Sequence, residues 1–128
     1  MPFECIGCRQ YTLSIIASIE FPPDNRSDEI SLQLAKCSVC GFEGVVLYEE
    51  SRRGSMMEDY WNHYGYHIDP DDFQKCLAWI QSCPNPQHAN CDCPAHQILN
   101  KRDISSGCWI GLDVFNLHEP FLLKRENL

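Results

Sequence analysis

Two short cysteine pairs, Cys5-Ile6-Gly7-Cys8 and Cys37-Ser38-Val39-Cys40, constrain this chain more than any other feature. A Cys-x-x-Cys turn sets two sulfurs side by side, and two such turns supply the four thiolates of a tetrahedral zinc site. Gly41 follows the second pair, where a turn that aims backbone amides at sulfur needs a residue tolerant of positive φ. Redox-active pairs stand alone at a helix N-terminus. Here the pairs come in twos and lead into strand-like segments, so Cys5, Cys8, Cys37 and Cys40 are expected to hold a structural metal.

Nine cysteines in 128 residues exceed what chance places in a globular chain. An odd number argues against a closed disulfide framework. Residues 1–20 have no basic start, no long apolar run and no small-residue cleavage site, and no segment approaches the length of a membrane span. The expected setting is therefore the cytoplasm, where thiols stay reduced and Asn25-Arg26-Ser27 carries no meaning as a glycosylation acceptor. The length fits one domain over residues 1–128, with a metal-stapled half at 1–50 and a helix-bearing half at 51–128.

Charge excludes an easy conclusion. Lys and Arg total 10 against 18 Asp and Glu, a formal net charge of -8. Phosphate backbones demand basic patches, yet the cations occur in scattered pairs such as Arg52-Arg53, Lys101-Arg102 and Lys124-Arg125. The expected partner is therefore a basic protein rather than nucleic acid.

Between the cysteine pairs the chain alternates with period two. Tyr11, Leu13, Ile15, Ala17, Ile19 and Phe21 share one face of a predicted strand, with Ile16 out of step. Pro22-Pro23-Asp24-Asn25 turns the chain. Ile30, Leu32 and Leu34 then point inward from a second strand that delivers Cys37. Residues 42–50 make a third strand, with Val45-Val46-Leu47 buried on both faces. Knuckle, strand, turn, strand, knuckle, strand resembles the zinc-ribbon class over residues 3–50. That resemblance implies an antiparallel sheet and a structural zinc rather than an activity.

Residues 56–67 interleave Met56, Met57, Tyr60, Trp61, Tyr64 and Tyr66 with His63 and His67. Tyr60 and Tyr64 are spaced for one helical face, although Gly65 and Pro70 shorten any helix there. On such a helix His63 and His67, with Glu58 or Asp59, would form an open metal site. The thermolysin-like pattern needs Glu directly after the first histidine, and Tyr64 stands there instead.

Asp69 as N-cap, Pro70 at the first position, and Asp71 and Asp72 in the first turn predict a helix over 70–82. Phe73, Cys76, Leu77 and Ile80 form its apolar stripe. A short helix is expected over 94–99 and a buried strand over 108–117, with a loosely held tail beyond Pro120 from which 121–123 can dock. Cys76 and Cys108 read as small buried hydrophobes.

From Cys83 to His96 five potential ligands fall among prolines: Cys83, His88, Cys91, Cys93 and His96. A segment so poor in apolar residues is ordered by metal, whose binding free energy becomes folding free energy. The expected second set is Cys83, Cys91, Cys93 and His96, with His88 the alternate.

The fold class is thus α+β: a zinc-ribbon antiparallel sheet packed with a C-terminal helix, a Cys/His metal loop and a final strand. The function expected is that of a zinc-binding cytoplasmic protein-interaction module, of the immunity or inhibitor type, for a basic partner. The alternatives are a metal-dependent hydrolase using His63 and His67 or an open second zinc, and a nucleic-acid-binding ribbon. No catalytic residue is assigned.

Overall fold

A computed structural model describes residues 2–51 and 60–125. It is α+β, built on one five-stranded antiparallel sheet in the order β1-β2-β3-β4-β5. The strands are β1 (Leu13–Phe21), β2 (Glu29–Cys37), β3 (Glu43–Ser51), β4 (Tyr60–Ile68) and β5 (Leu117–Leu122), with α1 (Pro70–Ser82) and α2 (Pro94–Leu99) between the last two. Every sheet neighbour is also a chain neighbour, so the sheet is a meander whose β4–β5 connection carries both helices.

The sheet has two packed faces. On one, Ile19, Phe21, Ile30, Leu32, Leu34, Val45, Leu47 and Ile68 meet Phe73, Cys76 and Ile80 of α1, together with Leu99, Trp109 and Phe115. On the other, Leu13, Ala35, Val46 and Phe121 pack with Phe3, Cys5 and Cys37. The register of β1 against β2 shifts between Ile15 and Ala17. This bulge turns Leu13 and Ile15 to the second face and Ala17, Ile19 and Phe21 to the first. The single face expected for β1 is therefore divided, and Ile16, left out of the alternation, is 47% exposed. One extra residue in the strand supplies both cores.

Three further expectations are corrected. Residues 60–67 are not helical: they lie in β4, where Tyr64, Tyr66 and Ile68 face α1 and His63 and Gly65 face the other way. Period two wins because Gly65 abuts the Val45 carbonyl and Phe121, a close approach that glycine alone allows. Residues 108–117 are not a strand. Trp109 bridges Arg102, a single 3-10 turn occupies Gly111–Val114, and Gly111 lies under the Trp109 ring. The final strand is instead β5, which starts where the expected strand would end and runs through Pro120 into the segment read as a tail. Pro120 is tolerated there because β5 is an edge strand.

The main helix spans the expected residues, with Phe73, Cys76 and Ile80 buried. Asp69 is its N-cap residue, but its carboxylate makes no capping bond. It accepts instead from His118 at 2.7 Å and from the Asn116 amide at 3.3 Å, tying the start of β5 to the start of α1. Cys76 is a buried hydrophobe whose thiol burial pushes up to about 12. Cys108 is half-buried in a loop. Among the described residues no helix is long and apolar enough to cross a membrane.

Candidate metal centres and the open sheet face

The two N-terminal knuckles are built alike. In the first, the Cys5 amide donates to the Gln10 carbonyl at 2.8 Å and the Arg9 amide to the Cys5 carbonyl at 2.7 Å. In the second, the Cys37 amide donates to Phe42 at 2.9 Å and the Gly41 amide to Cys37 at 3.2 Å. The residue after each second cysteine turns left-handed: Gly41 at φ 79° and Arg9 at φ 62°. Sequence reasoning found the glycine and missed the arginine, since nothing in a side chain that ordinarily avoids this region advertises it.

The turns converge. Cys5 Sγ lies 3.5 Å from Cys40 Sγ and Cys8 Sγ 3.8 Å from Cys37 Sγ, and all four sulfurs fall within 4.8 Å of one another. A tetrahedron with metal–sulfur bonds of about 2.3 Å has edges of about 3.8 Å, whereas a disulfide would hold two sulfurs at about 2.0 Å. The spacing fits a shared ion, and all nine cysteines are free thiols.

Donors surround Cys37. The Thr12 hydroxyl lies 3.0 Å from its sulfur, and the Val39 and Cys40 amides each donate from 3.4 Å. Burial raises the Cys37 thiol, but the Thr12 hydroxyl and these amides outweigh it and bring it down to about 6. Cys5, more deeply desolvated, is pushed up to about 12 despite the Cys8 and Gly7 amides. One member of the cluster is thus prepared as a thiolate. Thr12 is a further residue that the spacing rules did not single out.

The second centre joins the end of α1 to the start of α2. Cys83 caps α1, its amide donating to the Ile80 carbonyl, and Cys93 caps α2, its sulfur accepting from the His96 amide. Cys83 Sγ lies 3.7 Å from Cys91 Sγ and 3.3 Å from His96 Nδ1, while Cys93 Sγ lies 3.3 Å from the same nitrogen. The four ligand atoms again fall within 4.8 Å of one another.

His96 is buried, and its other nitrogen, Nε2, donates to the Glu20 carbonyl at 3.0 Å. That bond fixes the tautomer and leaves Nδ1 as the free lone pair aimed at the sulfurs. Cys83 is driven up to about 11 by burial and by Cys93. Cys93 is brought down to about 6, because the His96 amide and its cysteine neighbours outweigh its burial. His88 is exposed, and its Nδ1 accepts from the Asn90 amide within a local turn. The structure therefore gathers His96, not His88, with the three sulfurs. Each cluster offers four protein donors and is able to hold a metal ion; among the described residues no third such group occurs.

His63 and His67 lie on one strand rather than one helical turn, so their Cα atoms are about 13 Å apart. His63 Nε2 meets the Gln33 amide oxygen at 2.7 Å, and burial, then the charge of Arg125, hold its pKa low. His67 stacks on Phe42 at 4.8 Å. Arg52, Arg53, Met56, Met57, Glu58 and Asp59 lie outside the described residues.

α1 and the segments that follow it pack on one sheet face, while the knuckles and Phe121 cover one end of the other. Its open end shows polar pairs, two between strands (Ser18 with Ser31 at 2.9 Å, Gln33 with His63) and one along β3, where Tyr48 donates to Glu50 at 2.7 Å. A cavity of about 400 Å³ runs from β1 and β2 to Tyr48, His63 and Arg125, with Glu20, Glu29, Ser31 and Gln33 on its far side. Burial raises the Glu20 pKa, and the charge of Glu29 raises it further. A second cavity of about 510 Å³ lies over β3 and β4.

Fold and sites together define an α+β protein with a five-stranded antiparallel meander and two four-donor clusters able to hold metal. Comparison with protein-family models, curated proteins and solved structures finds no significant match to this chain.

Proposed function

We propose that the protein is a zinc-stapled interaction module that works by binding a basic protein partner in a reducing, cytoplasmic setting, an inhibitor or immunity type of role. One observation carries this reading. Both clusters supply four protein donors each, the pattern of a closed structural site rather than of a catalytic one with a position left for water or substrate. Thiolate-rich sets favour zinc among the common divalent ions. The proposed ligands are Cys5, Cys8, Cys37 and Cys40 in one site and Cys83, Cys91, Cys93 and His96 in the other.

With the metal sites assigned to the scaffold, function falls to the surface. The net charge of -8 selects a cationic partner. The carboxylates of Glu20 and Glu29 on the uncovered sheet face are where such a partner gains most, since burial and mutual repulsion already raise the Glu20 pKa. The test is capture of partners from the native cells with the metal-loaded protein, followed by mass spectrometry. A single basic protein retained at low salt and released at high salt is the expected result. A protein that remains monomeric and retains nothing would refute the reading.

A further inference from the structure

The larger cavity of the open face is lined by Phe3, Tyr48, Trp61, His63, Leu123 and Arg125. Its volume of about 510 Å³ lies in the range of small-ligand sites. Four of its six walls are aromatic rings, and three of them are braced against one another. Phe3 and Tyr48 each meet the His63 ring edge to face, at 5.3 and 5.4 Å. Gln33 fixes the outer nitrogen of His63. Trp61 stays 66% exposed, which is unusual for so large an apolar side chain.

The charge at this site runs against that of the molecule. Arg125 is held by a backbone bridge to Phe3, and its guanidinium lies 5.3 Å from the Phe3 ring centroid. Among the described residues no carboxylate forms an ion pair with it. Its positive field reaches His63 and disfavours a proton there. In a chain with 18 acidic residues, a guanidinium left to face a ring-lined cavity is notable. Its planar fork matches a carboxylate in two parallel hydrogen bonds. A cationic ligand is the wrong one for the ring-lined cavity itself, because Arg125, at the junction with the Glu20 and Glu29 cavity, would repel it from the rings.

We infer that this cavity is a binding site for a flat apolar group bearing one carboxylate, with the ring seated between Trp61 and Phe3 and the carboxylate on Arg125. The chemistry is shared by a free aromatic acid and by a polypeptide ending in an aromatic residue. The site is separate from both metal centres, but it shares Tyr48, His63 and Arg125 with the cavity that holds Glu20 and Glu29, so it is tested with no basic partner present.

Trp61 gives a direct readout. The metal-loaded protein is titrated with phenylacetate for the free-acid source and with acetyl-Gly-Gly-Gly-Phe for the chain-end source, while tryptophan fluorescence and amide chemical shifts are followed. The amides of the same two compounds serve as uncharged controls. At least one acid should quench Trp61 and shift the Phe3, His63 and Arg125 resonances, binding about tenfold or more tighter than its amide. The tighter of the two acids names the source. Arg125→Gln, at an exposed position, should keep the fold and abolish the preference for acid over amide. If neither acid perturbs Trp61, or if acid and amide bind equally well, the inference fails. It fails equally if Arg125→Gln retains the acid preference.

Discussion

Replacing Thr12 by valine isolates the chemistry of the first metal centre from its packing. The two side chains are nearly the same shape, so the change removes one hydroxyl, 3.0 Å from Cys37 Sγ, and little else. A hydrogen bond to a charged acceptor contributes about 1.5–3 kcal/mol. Loss of an outer-sphere partner typically weakens a metal site about 10–100-fold, equivalent to about 1.4–2.8 kcal/mol. The two figures agree, so Thr12→Val should weaken the first site about tenfold or more without unfolding the protein. Zinc competition against a chromophoric chelator measures this, with the second site as internal control because it shares no residue with the first. A first-site affinity within twofold of wild type would refute the reasoning. Equal weakening of both sites would also refute it, since it would trace the loss to global stability instead.

Other perturbations probe the scaffold. Arg9→Gly should raise stability by about 1 kcal/mol, because it relieves a left-handed backbone at φ 62° and gives up only an exposed 3.9 Å ion pair with Glu4. The denaturation midpoint should rise, and an unchanged or lower midpoint would show that the turn is unstrained. Gly65→Ala should cost about 1–3 kcal/mol in thermal or denaturant unfolding, since its methyl would sit 2.6 Å from the Val45 carbonyl and 2.9 Å from the Phe121 ring. Asp24 accepts from the Arg26, Ser27 and Trp109 amides, each within 2.9 Å. Although burial opposes it, these bonds lower its pKa below the usual aspartate value. Its stabilisation is therefore full above the unfolded value near pH 4 and lost as pH falls through the folded one. Asp24→Asn should flatten that acid limb of the stability profile.

The metal clusters were legible in the sequence because ligand chemistry is local: a Cys-x-x-Cys turn and a Cys-x-x-His helix start dictate their own geometry. The first three strands and α1 were legible for similar reasons of period and capping. What escaped was decided by neighbours. Tyr60, Tyr64 and the two histidines satisfy a four-residue spacing as readily as an alternating one, and only the crowding of Gly65 by Val45 and Phe121 selects the strand. Pro120 reads as a stop until the sheet order makes β5 an edge. The bulge at Ile16 leaves a single mark in the sequence, one apolar residue out of phase. The ring-lined cavity could not be read at all, since Phe3 and Arg125 meet from opposite ends of the chain.

Metal content tests the central claim most directly. Protein purified from its own cells without chelator, measured by elemental mass spectrometry against amino-acid analysis, should carry two zinc ions per chain. Stepwise removal should collapse the near-ultraviolet dichroism of the tryptophans as the two sites empty. A chain that is folded with neither ion, or that carries one exchangeable metal and keeps its structure when stripped, would contradict the account.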